Sequence, residues 1–209
     1  DATEHIQYVL SNNSGISYIK GATNITTDKV AFDVYDYTAG GYTVPTVNVE
    51  TTGIIKGAIE VSSTATLNIK DGSFTAQIAE AWCADGYIPT TEVVGGTTYY
   101  TVKEGEYVAR NTTTGQGYET LRAAVETANA GETITLLQDI TLEGGYVDAT
   151  EGLRIELKGE DYADDKYLTI DGNGKTIIVD LSSPTNNNLG LFGKVENSTI
   201  KNLTIKVIG

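Results

Sequence analysis

The densest set of chemically capable side chains in this 209-residue chain is the run "GEDYADDKYLTIDGNGK", which holds Glu160, Asp161, Asp164, Asp165 and Asp171. Two acids held a few ångströms apart across a sugar would serve a glycosidase. Asp164, Asp165 and Asp171 could instead give oxygen ligands to calcium. The spacing fits no EF-hand loop, which needs a Glu at its twelfth position. A solvated loop with Asp171 as a turn residue accounts for the same residues. Other chemistries lack their parts. His5 and Cys83 are the single histidine and single cysteine, so zinc ligation has too few donors. No nucleophile–histidine set can be built unless His5 folds back. The arginines are Arg110, Arg122 and Arg154; Arg154 with Lys158 could pair a uronate, but exposed strand faces carry such charges as a rule. The expectation is a chain with no catalytic set, no cofactor and no structural metal.

Three further groups bear on recognition. Tyr occurs 13 times, with Tyr35, Tyr37 and Tyr42 close together and Tyr99 and Tyr100 adjacent. Exposed Tyr can stack on sugar rings, and it also suits strand surfaces. Asn12, Asn24, Asn111, Asn197 and Asn202 each lead an Asn-x-Ser/Thr triplet, an acceptor site where a secreting host glycosylates such triplets. Cys83 lies near Glu80 and Asp85 in "AEAWCADGY". It reads as a small core hydrophobe beside a Trp82 plug, with an intermolecular disulfide as the alternative.

Short alternating runs position these groups: "KVAFDVYDY", "TVNVE", "GAIEVSSTATLNI", "TYYTV", "ETITLLQDITL", "KTIIVDL" and "NLTIKV", broken by Gly, Asn, Asp or Ser. Alternation of this kind marks half-buried strands, and strands in this density imply an all-β domain. Val94-Gly95-Gly96-Thr97 predicts a hairpin turn. One segment differs. In "GYETLRAAVETANAG", Tyr118, Leu121, Ala124, Val125 and Ala128 share one helical face, which predicts an amphipathic capping helix over 119–129 stopped by Gly131. The organisation expected is an N-terminal arm with stacked strands over 1–90, a connecting hairpin and helix over 91–131, and a second strand segment over 132–209.

Composition removes whole classes of partner. A net charge of -14 and a pI near 4.3 disfavour phosphate backbones and anionic lipid. No apolar run reaches the ~18 residues of a membrane span. The opening "DATEHIQYVLSNN" contains no initiator Met, as in a mature secreted protein or an excised fragment.

Taken together, "LTIDGNGKTI" and "GLFGKVENSTIKNLTI" resemble the rungs of right-handed parallel β-helices of the pectin-lyase-like superfamily. The second phrase is also similar to the Gly-Leu-Phe-Gly repeat of bacterial surface proteins. "TLNIKDGSFTAQIAEAWCADGYIPTT" followed by "YETLRAAVETANAGETITLLQDITL" resembles the joined modules of large adhesin-like surface proteins of gut Firmicutes. The resemblance covers about residues 55–209 and implies β-solenoid coils, a cell-surface or extracellular place, and an adhesive or structural role. Polysaccharide lyases of that superfamily use calcium-binding acids with a basic residue, so a lyase or hydrolase stays as the alternative, as does a carbohydrate-binding module.

Stacked coils bury a core that no single coil could bury. Leu203, Ile205 and Val207 alternate as a half-buried strand with no following strand over them. They are the expected self-assembly edge, covered by a second copy stacked head-to-tail, by strand addition, or by adjoining modules of a longer chain.

Overall fold

Alternating sequences send one side chain in two to each face of a strand, and pairing then stacks the aliphatic set. The computed structural model describes residues 7–142, 167–180, 191 and 197–209. The chain forms two units, Asp1–Glu106 and Tyr107–Gly209. It is all-β, with one short α-helix among the described residues, and its sheets mix parallel and antiparallel pairs.

The first unit contains β1 (Tyr8–Asn12), β2 (Ile16–Gly21), β3 (Ile25–Val34), β4 (Thr46–Val61), β5 (Thr66–Phe74), β6 (Tyr87–Val94) and β7 (Thr97–Glu104). The first five pair only in parallel with one another. Three ladders result, and the chain visits them in rotation. One joins Leu10, Phe32 and Ile59. The second joins Ile19, Val49 and Ile69. The third joins Ile25, Ile55 and Phe74. Parallel neighbours require a crossover between them, and the chain supplies it by passing through the other two ladders. Phe32, Val47, Val49, Ile55, Leu67, Ile69 and Phe74 are fully buried, each contributing about 1.5–3 kcal/mol by burial.

Polar side chains knit the corners. Thr51 Oγ1 donates to the carbonyls of Gly21 and Thr23, both at 2.9 Å. Asn24 Oδ1 accepts from the Ile54 N–H at 2.8 Å. Successive turns touch here: a Cβ on Gly53 would lie 2.1 Å from the Thr23 carbonyl oxygen. On the outer face Asn68 donates to Asn48 at 3.1 Å, and Glu50 lies between Lys20 at 3.9 Å and Lys70 at 3.8 Å.

The parallel run of this unit ends on antiparallel strands. β6 and β7 form the hairpin expected from Gly95-Gly96, both with positive φ, as a two-residue hairpin turn requires. β7 then meets β5 at Phe74↔Tyr100. The segment 91–131 contributes to both units. Its hairpin completes the sheet of the first unit, while its helix packs into the second.

The second unit contains β8 (Ala109–Asn111), β9 (Gly117–Tyr118), α1 (Leu121–Thr127), β10 (Thr133–Leu136), β11 (Ile140–Leu142), β12 (Thr169–Asp171), β13 (Thr176–Asp180), β14 (Thr199–Lys201) and β15 (Thr204–Ile208). It begins with antiparallel pairs, β9 on β8 and β8 on β10; the connection from 112 to 116 is too short for a parallel crossover. Two parallel ladders follow, β10–β12–β14 and β11–β13–β15. The corner between β12 and β13 is close-packed: a Cβ on Gly172 would lie 2.4 Å from the Asn202 carbonyl oxygen.

The helix is shorter than 119–129. Thr120 caps it, its hydroxyl accepting from the Ala123 N–H at 3.1 Å, and Ala128 is already extended. Gly131 is thus not its stop; its N–H donates to the Tyr167 carbonyl at 2.6 Å in a later turn. Leu121, Ala124, Val125 and Ala128 are buried and Tyr118 packs beside them, which is the face the periodicity marks. Arg122 pairs with Glu126 one turn on, at 3.4 Å.

Candidate functional site

Among the described residues, two places gather apolar or aromatic side chains that the fold leaves uncovered. The first is the outer edge of the second unit. Inward columns run Ile134–Ile170–Ile200, Ile140–Ile177–Ile205 and Leu142–Val179–Val207. Ile134, Ile170 and Ile177 are fully buried and Val179 nearly so, yet Ile200 is 38%, Ile205 46% and Val207 59% exposed. The last residue of each column is apolar because its position faces the stack, and it is open because no described strand follows. Leu203 does not belong to this edge. It sits in the corner between β14 and β15, half-buried against the core. Ile200 does belong, and sequence reasoning missed it because the alternating run "NLTIKV" begins beyond it.

The second surface lies in the first unit. Asn13, Ser14, Tyr35, Tyr37 and Tyr42 line a concavity of about 530 Å³. Asn13 and Ser14 come from the turn between β1 and β2, and the tyrosines come from the connection between β3 and β4. Both segments are pinned. The Tyr35 N–H donates to the Asn12 carbonyl at 3.1 Å. Ser14 Oγ and Thr43 Oγ1 are 3.0 Å apart, and Thr43 Oγ1 accepts from the Gly15 N–H at 3.1 Å. Asp36 anchors the base of the loop: Thr64 Oγ1 donates to its Oδ2, and the Thr38 N–H donates to its Oδ1 at 2.8 Å. Thr64 first, then Thr38, hold its carboxyl below the ordinary carboxylate range. Tyr37 and Tyr42 tilt toward each other with ring centroids 5.8 Å apart. Tyr99 and Tyr100 form no such surface, because adjacent strand residues point to opposite faces.

Of the acidic run, only Asp171 is among the described residues. Glu160, Asp161, Asp164 and Asp165 lie outside the described residues, as do His5, Arg154 and Lys158. Asp171 stands at the corner between β12 and β13 and accepts internal donors. Its Oδ1 accepts from the Asn173 N–H at 2.9 Å and from Asn202 Nδ2 at 3.1 Å, and Lys201 lies 3.2 Å from Oδ2. These contacts, the Asn173 N–H foremost, hold its carboxyl below the ordinary range. Among the described residues no group of three or more His, Cys, Asp and Glu side chains is arranged to hold a metal ion.

The Asn-x-Ser/Thr triplets divide into two kinds. Asn12 is 6% and Asn111 1% exposed. Asn12 Nδ2 donates to the Thr46 carbonyl at 3.0 Å, and Asn111 Nδ2 donates to Glu132 at 2.6 Å. A glycan amide cannot form at nitrogens so engaged without breaking the fold, so these two are structural turn residues. Asn24, Asn197 and Asn202 are exposed, and the last two adopt positive φ, which Asn tolerates better than most residues. Cys83 packs against the core of the first unit with Trp82. Burial, with Glu80 adding, pushes its thiol up to about 11, so it is protonated and a poor nucleophile at neutral pH.

No protein-family model matches the chain, and neither a curated protein nor a solved structure does.

Proposed function

We propose that this chain is a non-catalytic extracellular structural or adhesive protein of the cell surface, built from β-solenoid coils of the pectin-lyase-like kind. The coils extend by stacking on a further coil of the same kind, contributed head-to-tail by a second copy. The rotation of the first unit through three parallel ladders supports the solenoid reading, as do the module-like phrases of the sequence.

One observation carries the assembly reading: three buried aliphatic columns of the second unit run out at Ile200, Ile205 and Val207, half exposed. A coil placed on β14 and β15 would cover these residues and pair the open backbone edge, which is otherwise a template for strand addition. The first unit offers the matching end. Among the described residues, β1 pairs only with β3 and β2 only with β4, so its first tier is open on one side. A contact between unlike ends does not close on itself and propagates into a filament.

The test is sedimentation velocity and electron microscopy of the chain over a wide concentration range. Head-to-tail oligomers that lengthen with concentration, and that Val207→Lys with Ile205→Lys abolishes, are the expected result. Monomers at every concentration would overturn the assembly reading. Turnover of pectin, alginate or host glycans with calcium present would replace the non-catalytic reading with a lyase or hydrolase.

A further inference from the structure

We infer that the tyrosine-lined concavity of the first unit is a binding site for an uncharged saccharide. The inference stands apart from the assembly reading, because the concavity uses none of the edge residues.

The connections between successive parallel strands locate it. The link from β1 to β2 spans three residues, 13–15, and the link from β4 to β5 spans four, 62–65. The link from β3 to β4 spans eleven, 35–45, and carries Tyr35, Tyr37 and Tyr42 together. The neighbouring links show that strands of this stack can be joined by far fewer residues. In stacked architectures insertions map to loops on one face, often the binding face, and loops held by a rigid scaffold are where recognition residues concentrate.

Each ring is about half exposed, so the hydrophobic effect has not spent these faces on the core. Their phenolic hydroxyls and the Asn13 amide nitrogen have no hydrogen-bond partner among the described residues, although the Asn13 carbonyl oxygen accepts from Ser11 at 3.2 Å. The lining therefore combines apolar ring faces with neutral donors and acceptors. That is the complement of a pyranose, which has C–H faces and hydroxyl edges. The volume of about 530 Å³ falls within the roughly 300–1,000 Å³ of small-molecule sites.

Charge narrows the class. A cationic ligand would want an open carboxylate, but both oxygens of Asp36 are engaged by Thr64 and Thr38 and the residue does not line the concavity. An anionic glycan would approach a chain of net charge -14 against long-range repulsion.

The experiment is calorimetric and NMR titration of the full chain with cellotetraose, mannotetraose and chitotetraose, with choline chloride and a tetragalacturonate as charged counter-probes. The expected result is saturable binding of at least one uncharged tetrasaccharide. Tyr37→Ala and Tyr42→Ala should each weaken it about tenfold, and the corresponding Phe variants should stay within about threefold. Gly40→Ala should also weaken it with every phenol intact, because its Cβ would lie 2.6 Å from Tyr37 Cε1 and 3.1 Å from Tyr42 Cδ2. Tyr100→Ala, on a strand away from the concavity, should change nothing. Unchanged circular dichroism separates these effects from unfolding. Absence of saturable binding to all three uncharged probes, binding that survives the double Tyr→Ala variant, or a preference for choline or the uronate would overturn the inference.

Discussion

The two units use one construction with opposite polarity. In the first, the parallel tiers begin, among the described residues, with one side of β1 and β2 open and end against the antiparallel β6–β7 hairpin. In the second, antiparallel β8 and β9 with α1 come first, and among the described residues the parallel tiers end with one side of β14 and β15 open. Side-chain burial follows this polarity rather than residue type. Phe74 at the closed end of the first unit is fully buried, whereas Val207 at the open end of the second is 59% exposed. Stacked strands require a neighbour on each side, and an antiparallel pair or a helix is how this chain supplies one without adding another tier.

The largest expected effect tests that contrast directly. Phe74→Ala should cost about 3–5 kcal/mol as a buried aromatic deletion, read by denaturant unfolding. Val207→Ala should fall within about 0.5 kcal/mol in dilute monomer. A cost for Val207→Ala that grows with protein concentration would mean the open edge is covered in solution.

Next come the corner glycines, one in each unit. Gly53→Ala and Gly172→Ala each drive a Cβ against a backbone oxygen of the adjoining turn, and each should cost about 1–3 kcal/mol as local overpacking. If only one of them destabilises, the two stacks are not built alike. A smaller effect is expected at the helix that closes the second unit. Thr120→Ala removes the N-cap bond to Ala123 and should cost about 1 kcal/mol, with hydrogen exchange accelerated over 121–127.

The smallest effect is a pH dependence. The Asp171 carboxyl is held below its ordinary value, so its folded form binds a proton less readily than the unfolded chain does. The stabilisation is present above the unfolded value of about 3.9 and is lost as pH falls through the lower folded value. The thermal midpoints of the wild-type chain and Asp171→Asn should therefore differ at pH 6 and converge in acid. A gap that persists in acid would show that Asp171 acts by packing and not by charge.

Much of this was legible from residue order. "TVNVE" and "NLTIKV" alternate because one face is buried, Gly95-Gly96 can take the positive φ of a two-residue turn, and the apolar stripe from Leu121 to Ala128 fits only a helix. What alternation could not tell was direction, because a period of two is common to parallel and antiparallel strands. The antiparallel pairing of β8 with β9 and β10 was hidden for that reason; the β6–β7 hairpin was announced only by its glycines. The tyrosine cluster was visible as spacing, but its partners Asn13 and Ser14 are brought beside it only by pairing of β1 with β3 and β2 with β4. The triplets led by Asn12 and Asn111 read as surface sites because burial of an Asn depends on which carbonyl or carboxylate comes to meet it.

Glu50 flanked by Lys20 and Lys70 has a consequence of another kind. Exposed ion pairs at such distances each contribute about 0–1 kcal/mol, so they add little to the strength of the stack. Their value lies in counting. Across β2, β4 and β5 these three side chains run plus, minus, plus, so setting β2 directly against β5 would bring Lys20 to Lys70. Parallel strands can pair in more than one order, and this short row of charges opposes the order that would leave β4 out.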